Sequence, residues 1–149
     1  MIITQALLGE HGAIYPLLEL IERTSASASL EELKIRAGCL RSALGSHANL
    51  EDELLVPAIR SFLPAPPLSG NGAPAPSDHQ VIDACLTRVL STPQVEEARQ
   101  SLLDAVAETR KHFLKEETVI FQLAARELPM ERQEELGAEW ARRRGVRLS

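Results

Sequence analysis

Leu44-Gly-Ser-His47-Ala-Asn-Leu-Glu51-Asp-Glu-Leu54 sets an imidazole and a carboxylate four residues apart, inside a run that otherwise repeats apolar residues at helical spacing. Residues four apart share one helix face, so His47 and Glu51 aim at the same point. The stripe that carries them reads Leu33, Ala37, Leu40, Leu44, His47, Glu51, Leu54, Ala58, which places that point inside the protein. The arrangement recurs once, as Val95, Ala98, Leu102, Ala105, His112, Glu116, Val119, Leu123. Ionisable groups buried in such stripes are costly unless they are paired or bound to a metal. Neither stripe carries a Lys or Arg, so a metal is the explanation the pattern favours.

The chain has only two further histidines, His11 and His79, and both stand at apolar helical positions. Glu10-His11-x-x-Ile14 answers Asp78-His79-x-x-Ile82, and His47-x-x-x-Glu51-Asp52 answers His112-x-x-x-Glu116-Glu117. Each half therefore reads as one helical hairpin, with a histidine on its first helix and a His/Glu pair on its second. The periodicity predicts helices over about 3–23, 30–62, 78–90 and 93–127, and a short amphipathic one over about 130–143. Ser29-x-x-Glu32 and Ser77-x-x-Gln80 are capping boxes that open the second and third helices, and Thr92-Pro93 opens the fourth. Pro16 and Pro57 fall inside helical runs and predict a kink near His11 and a bend in the second helix. A Pro- and Gly-rich crossover, 64–77, joins hairpin 3–62 to hairpin 78–127. The expectation is one all-α domain spanning 1–149, an up-and-down four-helix bundle with an added C-terminal helix.

Composition agrees, since 44% apolar, 25% charged and 3% aromatic residues over 149 positions are short of strand formers. A net charge of −5 gives no basic footprint for nucleic acid, and Arg142-Arg143-Arg144 reads as a solvated basic helix end that suits the helix dipole. No apolar run approaches the ~18 residues of a membrane helix, and the first residues lack the basic segment of a signal peptide. Cys39 and Cys85 stand alone, without a CxxC, and read as free thiols used for packing. The chain is expected to be soluble and cytoplasmic, with no nucleic-acid or membrane partner and no protein partner named by its sequence.

Four imidazoles and two carboxylates exceed one tetrahedral zinc site but suit two metals, each taking two histidines, with both glutamates bridging at roughly 3.5–4 Å between metals. Such mixed donors favour iron, manganese or zinc. With a shared oxo or hydroxo bridge, an octahedral pair is left about two positions short, room for dioxygen, peroxide or nitric oxide. A ferritin-like site would want Glu-x-x-His, which does not occur.

Leu7-Leu8-Gly9-Glu10-His11, His47-x-x-x-Glu51-Asp52-Glu53-Leu54-Leu55-Val56-Pro57, Asp78-His79 and His112-x-x-x-Glu116-Glu117 together resemble the hemerythrin-like proteins of the HHE cation-binding family, over nearly the whole chain. The resemblance implies a non-haem di-iron centre with His11, His47, His79 and His112 as terminal ligands and Glu51 and Glu116 as bridges. The oxygen-carrying hemerythrins place a further histidine four residues after the third one and use His-x-x-x-x-Asp on the last helix. Those spots here read Asp83 and Glu117, which implies one ligand fewer and a more open centre.

Tyr15 and Asp83 sit four residues after the two helix-opening histidines, as extra ligands or as groups that orient a bridge or a bound small molecule. Glu10, Asp78 and Glu117 are placed to accept the free N–H of a ligating histidine, although their positions read first as solvated acids. The resulting expectation is a di-iron protein that binds or reacts with O2, NO or peroxide as a sensor, scavenger or iron-handling module. A di-iron ferroxidase or peroxidase and a structural zinc bundle remain as alternatives.

Overall fold

The computed structural model describes residues 1–65, 67–70 and 75–147. Among the described residues there are five helical segments and no strand. Helix α1 is Ile3–Thr24 and ends in a 3-10 turn, Ser25–Ser27. Helix α2 is Leu30–Leu50 and runs on through a π-helical turn, Glu51–Leu55, into Val56–Ile59. Helix α3 is Asp78–Ser91. Helix α4 is Val95–Lys115, continued by a second π-helical turn, Glu116–Ile120, and by Phe121–Glu127. Helix α5 is Met130–Arg144. Part of the predicted crossover, residues 66 and 71–74, lies outside the described residues.

Local chemistry explains the starts. Ser29 Oγ accepts from the Glu32 amide while the Glu32 carboxylate accepts from the Ser29 amide, and Ser77 and Gln80 repeat the exchange, so both predicted capping boxes form. Helix α4 starts at Val95, two residues later than expected, because Thr92 Oγ1 accepts the Gln94 amide and holds Thr92–Gln94 as a lead-in turn. Pro16 lies within the continuous run of α1.

The four long helices close a ring, α1 on α2, α2 on α3, α3 on α4 and α4 on α1, and α5 lies along α1. Two apolar clusters fill the ring. One holds Leu18, Leu40, Leu86 and Leu102; the other holds Leu7, Leu54, Ile59, Phe121 and Leu136. Each fully buried leucine contributes about 1.5–3 kcal/mol of transfer free energy. The predicted ligands form the layer between these clusters.

The two π-helical turns correct the expected stripes. Val119 is exposed and Leu123 and Ala58 are only half-buried, while Phe121, Ala124 and Ile59 are buried in their place. A π turn holds one residue more than an α turn, so beyond Glu51 and beyond Glu116 the inward face moves one position along the chain. In α2 the turn precedes Pro57, which has no amide to give to an α-helical bond. Cys39 is exposed, not packed, because it falls off the inner stripe; Cys85 is half-buried against the first cluster, and burial raises its thiol pKa.

Candidate metal centre

All six predicted metal ligands come together, as two overlapping groups of donor atoms, each within 4.8 Å of one another. His11, His47 and Glu116 form the first, and Glu51, His79, His112 and Glu116 form the second. The histidines pair within hairpins: Nε2 of His11 lies 3.2 Å from Nε2 of His47, and Nε2 of His79 lies 2.9 Å from Nε2 of His112. Glu116 reaches both pairs, with Oε2 at 3.0 Å from His11 and Oε1 at 2.9 Å from His112. Glu51 Oε2 lies 3.6 Å from His79 Nε2.

The outward ring nitrogens have their own partners. Nδ1 of His11 donates to Glu117 and Nδ1 of His47 donates to Glu10, each at 2.8 Å. Nδ1 of His79 lies 3.9 Å from Asp52, and Nδ1 of His112 lies 3.4 Å from Asp78. The pattern is twofold: the acid before the first histidine of a hairpin faces the second histidine of the same hairpin. The acid after each ligand glutamate faces the first histidine of the other hairpin. Glu10 and Glu117 are therefore largely enclosed partners and not the solvated acids expected, because neighbouring helices cover positions that look peripheral in sequence.

With Nδ1–H committed to a carboxylate, the Nε2 of His11 and of His47 is an acceptor. Both lone pairs then face each other and Glu116, whose two buried oxygens have no aligned hydrogen-bond donor; Glu51 Oε2 is orphaned as well. Converging acceptors with no donor among them are what a cation requires, and the outer carboxylates fix the tautomer a metal-ligating histidine needs. In the metal-free chain protons take that role. Burial lowers the His47 pKa, but the hydrogen bond to Glu10 and the nearby Glu116 charge outweigh it and raise it to about 9. Burial, and then the Glu116 charge, push Glu51 up to about 9. Glu116 itself is held well below the carboxylate range, because His11, His112 and His47 outweigh its burial. Burial and the neighbouring His112 lower His79.

Tyr15 does not reach the six. Its hydroxyl donates to Glu117 Oε1 at 3.0 Å, the same oxygen that holds His11, so it orients the partner of a ligand. Burial and the Glu117 contact raise its pKa. Asp83 is also outside the cluster, tied to Arg41 by two contacts of 2.8 and 3.2 Å. Arg41 and Asp83 line a cavity of about 300 Å³ between α2 and α3, together with Leu44, Gly45, Ile82 and Leu86. His47, His79 and His112 also form its wall, so the cavity borders the centre there.

Three residues that sequence reasoning passed over belong to the site. Phe113 is fully buried and stacks on the His11 ring, 3.7 Å between centroids and 9° between planes. It directly follows His112, and a fully buried aromatic beside a ligand was the available signal. Trp140 and Arg144 of α5 both donate to Glu10, at 2.8 and 2.7 Å. Arg144 is thus an inward contact and not the free helix end expected, while Arg142 pairs with Glu139, and Arg143 with Glu139 and Glu53. No local pattern links positions 10 and 144.

A helical bundle with two histidine pairs and two glutamates in one buried layer defines a cation-binding protein of the hemerythrin class. The chain belongs to the hemerythrin HHE cation-binding domain family, whose model matches residues 2–124. No curated protein and no solved structure matches it. No helix among the described residues is long and apolar enough to cross a membrane.

Proposed function

We propose that the chain holds two iron ions, bridged by oxo or hydroxo, and binds or reacts with O2, NO or peroxide, as a sensor, scavenger or iron-handling protein of the cytoplasm. One observation carries the reading: two groups of inward acceptors share Glu116, and its buried oxygens have no aligned hydrogen-bond donor. His11 and His47 would hold one ion, His79 and His112 the other, with Glu116 between them and Glu51 beside the second pair. Such a metal pair, when bound, supplies redox chemistry and coordination positions for a small ligand. The chain's own contribution is to fix the imidazole tautomers through Glu117 and Glu10, to exclude bulk water through Phe113 and the two apolar clusters, and to leave one approach beside His79 and His112.

Anaerobic reconstitution with ferrous iron followed by elemental analysis tests the reading. Two ions per chain are expected, with a near-ultraviolet charge-transfer band after oxidation. One ion or none would overturn it. Mixing the reduced protein with O2 in a stopped-flow instrument then separates a binding protein, whose spectrum persists, from an enzyme, which turns over.

A further inference from the structure

Helix α5 begins at Met130, beyond residue 124 where the family match ends, yet it reaches the metal layer. Trp140 Nε1 and Arg144 Nε both donate to Oε1 of Glu10, and the other oxygen of Glu10 accepts from Nδ1 of His47 at 2.8 Å. Arg144 also donates to the Ser46 carbonyl at 2.8 Å, next to His47 in the chain. The helix sits flush on the start of α1, because a Cβ at Gly137 would overlap the Met1 carbonyl oxygen. Trp140 packs its ring against the cluster of Leu7 and Leu136.

Among the described residues the second hairpin has no equivalent. Asp78, which stands where Glu10 stands in the first, is half-exposed and held by the mobile-stemmed Lys115 at 2.8 Å. A glutamate free at the end of three rotatable bonds loses rotamer entropy whenever it grips an imidazole; one already clamped has lost it in folding. We propose that α5 positions a metal ligand: Trp140 and Arg144 clamp Glu10, Glu10 holds the His47 ring, and the His11/His47 position becomes the tighter of two and fills first. This rests on the two-metal reading above.

The test is titration of the full, metal-free chain with cobalt(II), followed by its visible absorption. In the unsubstituted protein two steps are expected. Trp140→Phe with Arg144→Met should weaken the first step about tenfold to a hundredfold, the usual effect of losing an outer partner, and shift its visible band, leaving the second step in place. Arg144→Lys, which restores one donor, should recover part of the loss. In a Glu10→Gln background the same pair of substitutions should add less than about twofold, because they act through Glu10. Trp140→Phe alone keeps most of the ring packing, and thermal melting of its metal-free form checks that α5 stays docked. An unchanged first step, equal weakening of both steps, or a full additional loss in the Glu10→Gln background overturns the proposal. An unsubstituted protein that takes up no cobalt overturns the two-metal reading along with it.

Discussion

The two hairpins place the same residue types at matching positions, yet the halves of the centre they build differ in enclosure. His11 and His47 are 0% and 2% exposed, and their outer carboxylates lie at 2.8 Å. His79 is 30% exposed, and its partner Asp52 stands 3.9 Å away and largely in solvent. The cause is placement along the helix. His11 sits two turns into α1 with α5 laid beside it, whereas His79 is the second residue of α3, with no preceding turn to cover it. Chemically equal ligands thus become unequal sites through what packs around them, and both histidines of the open half line the cavity, against His47 alone of the enclosed one.

The largest effect is expected from removing the residue both halves share. Glu116→Ala should abolish most metal binding at both positions, beyond the roughly hundredfold loss typical of outer partners. Glu51→Ala, whose donor atom groups only with His79 and His112, should fall mainly on the second position. Isothermal titration with zinc measures both; equal losses at both positions for the two variants would show that Glu51 spans the pair as Glu116 does.

Next in size is the effect of metal on stability. Metal that binds only the folded chain adds about 4 kcal/mol at a thousandfold excess over Kd. His47 is raised from 6.5 to about 9 and Glu51 from 4.5 to about 9 in the metal-free fold. Their protonated forms therefore stabilise that fold fully below pH 6.5 and pH 4.5 respectively, and this stabilisation is lost as pH rises through about 9. Metal needs both groups deprotonated, so its advantage runs the opposite way. Thermal melts of metal-free and zinc-loaded protein at pH 6, 7.5 and 9 should show the gap widening with pH, and a gap that stays constant or narrows would contradict this account.

A mirrored pair of substitutions sharpens the contrast between halves. Glu117→Gln, at 2.8 Å from His11, should weaken the first position about tenfold or more. Asp52→Asn, at 3.9 Å from His79 and exposed, should change the second position much less. Equal losses in a zinc titration would mean that enclosure does not grade the outer partners.

The smallest expected effect lies at the cavity. A Cβ at Gly45 meets nothing within 4 Å, and the position is helical, so Gly45→Ala should stabilise the chain by about 0.5–1 kcal/mol in urea unfolding. Any destabilisation would mean that the space beside the second half is tighter than described.

Much of this molecule was legible in one dimension. The helical period, the serine caps and the His-x-x-x-Glu pairs are local, and a buried polar residue announces itself wherever it interrupts an apolar stripe. That is why the bundle and its six inward donors could be read from spacing alone. The slip of the stripe from Leu123 to Ala124 was not readable, since a π turn leaves the residue types unchanged and moves only the phase. Nor was the pairing of Asp83 with Arg41, the relay from Tyr15 through Glu117 to His11, or the clamp of Trp140 and Arg144 on Glu10. Those contacts join residues 42 to 134 positions apart, so no local periodicity encodes them. Residue type and spacing alone were enough to turn the six donors inward; the packing of helices against one another decided which of them are held, and how firmly, because enclosure is a property of neighbours that only the folded chain brings together.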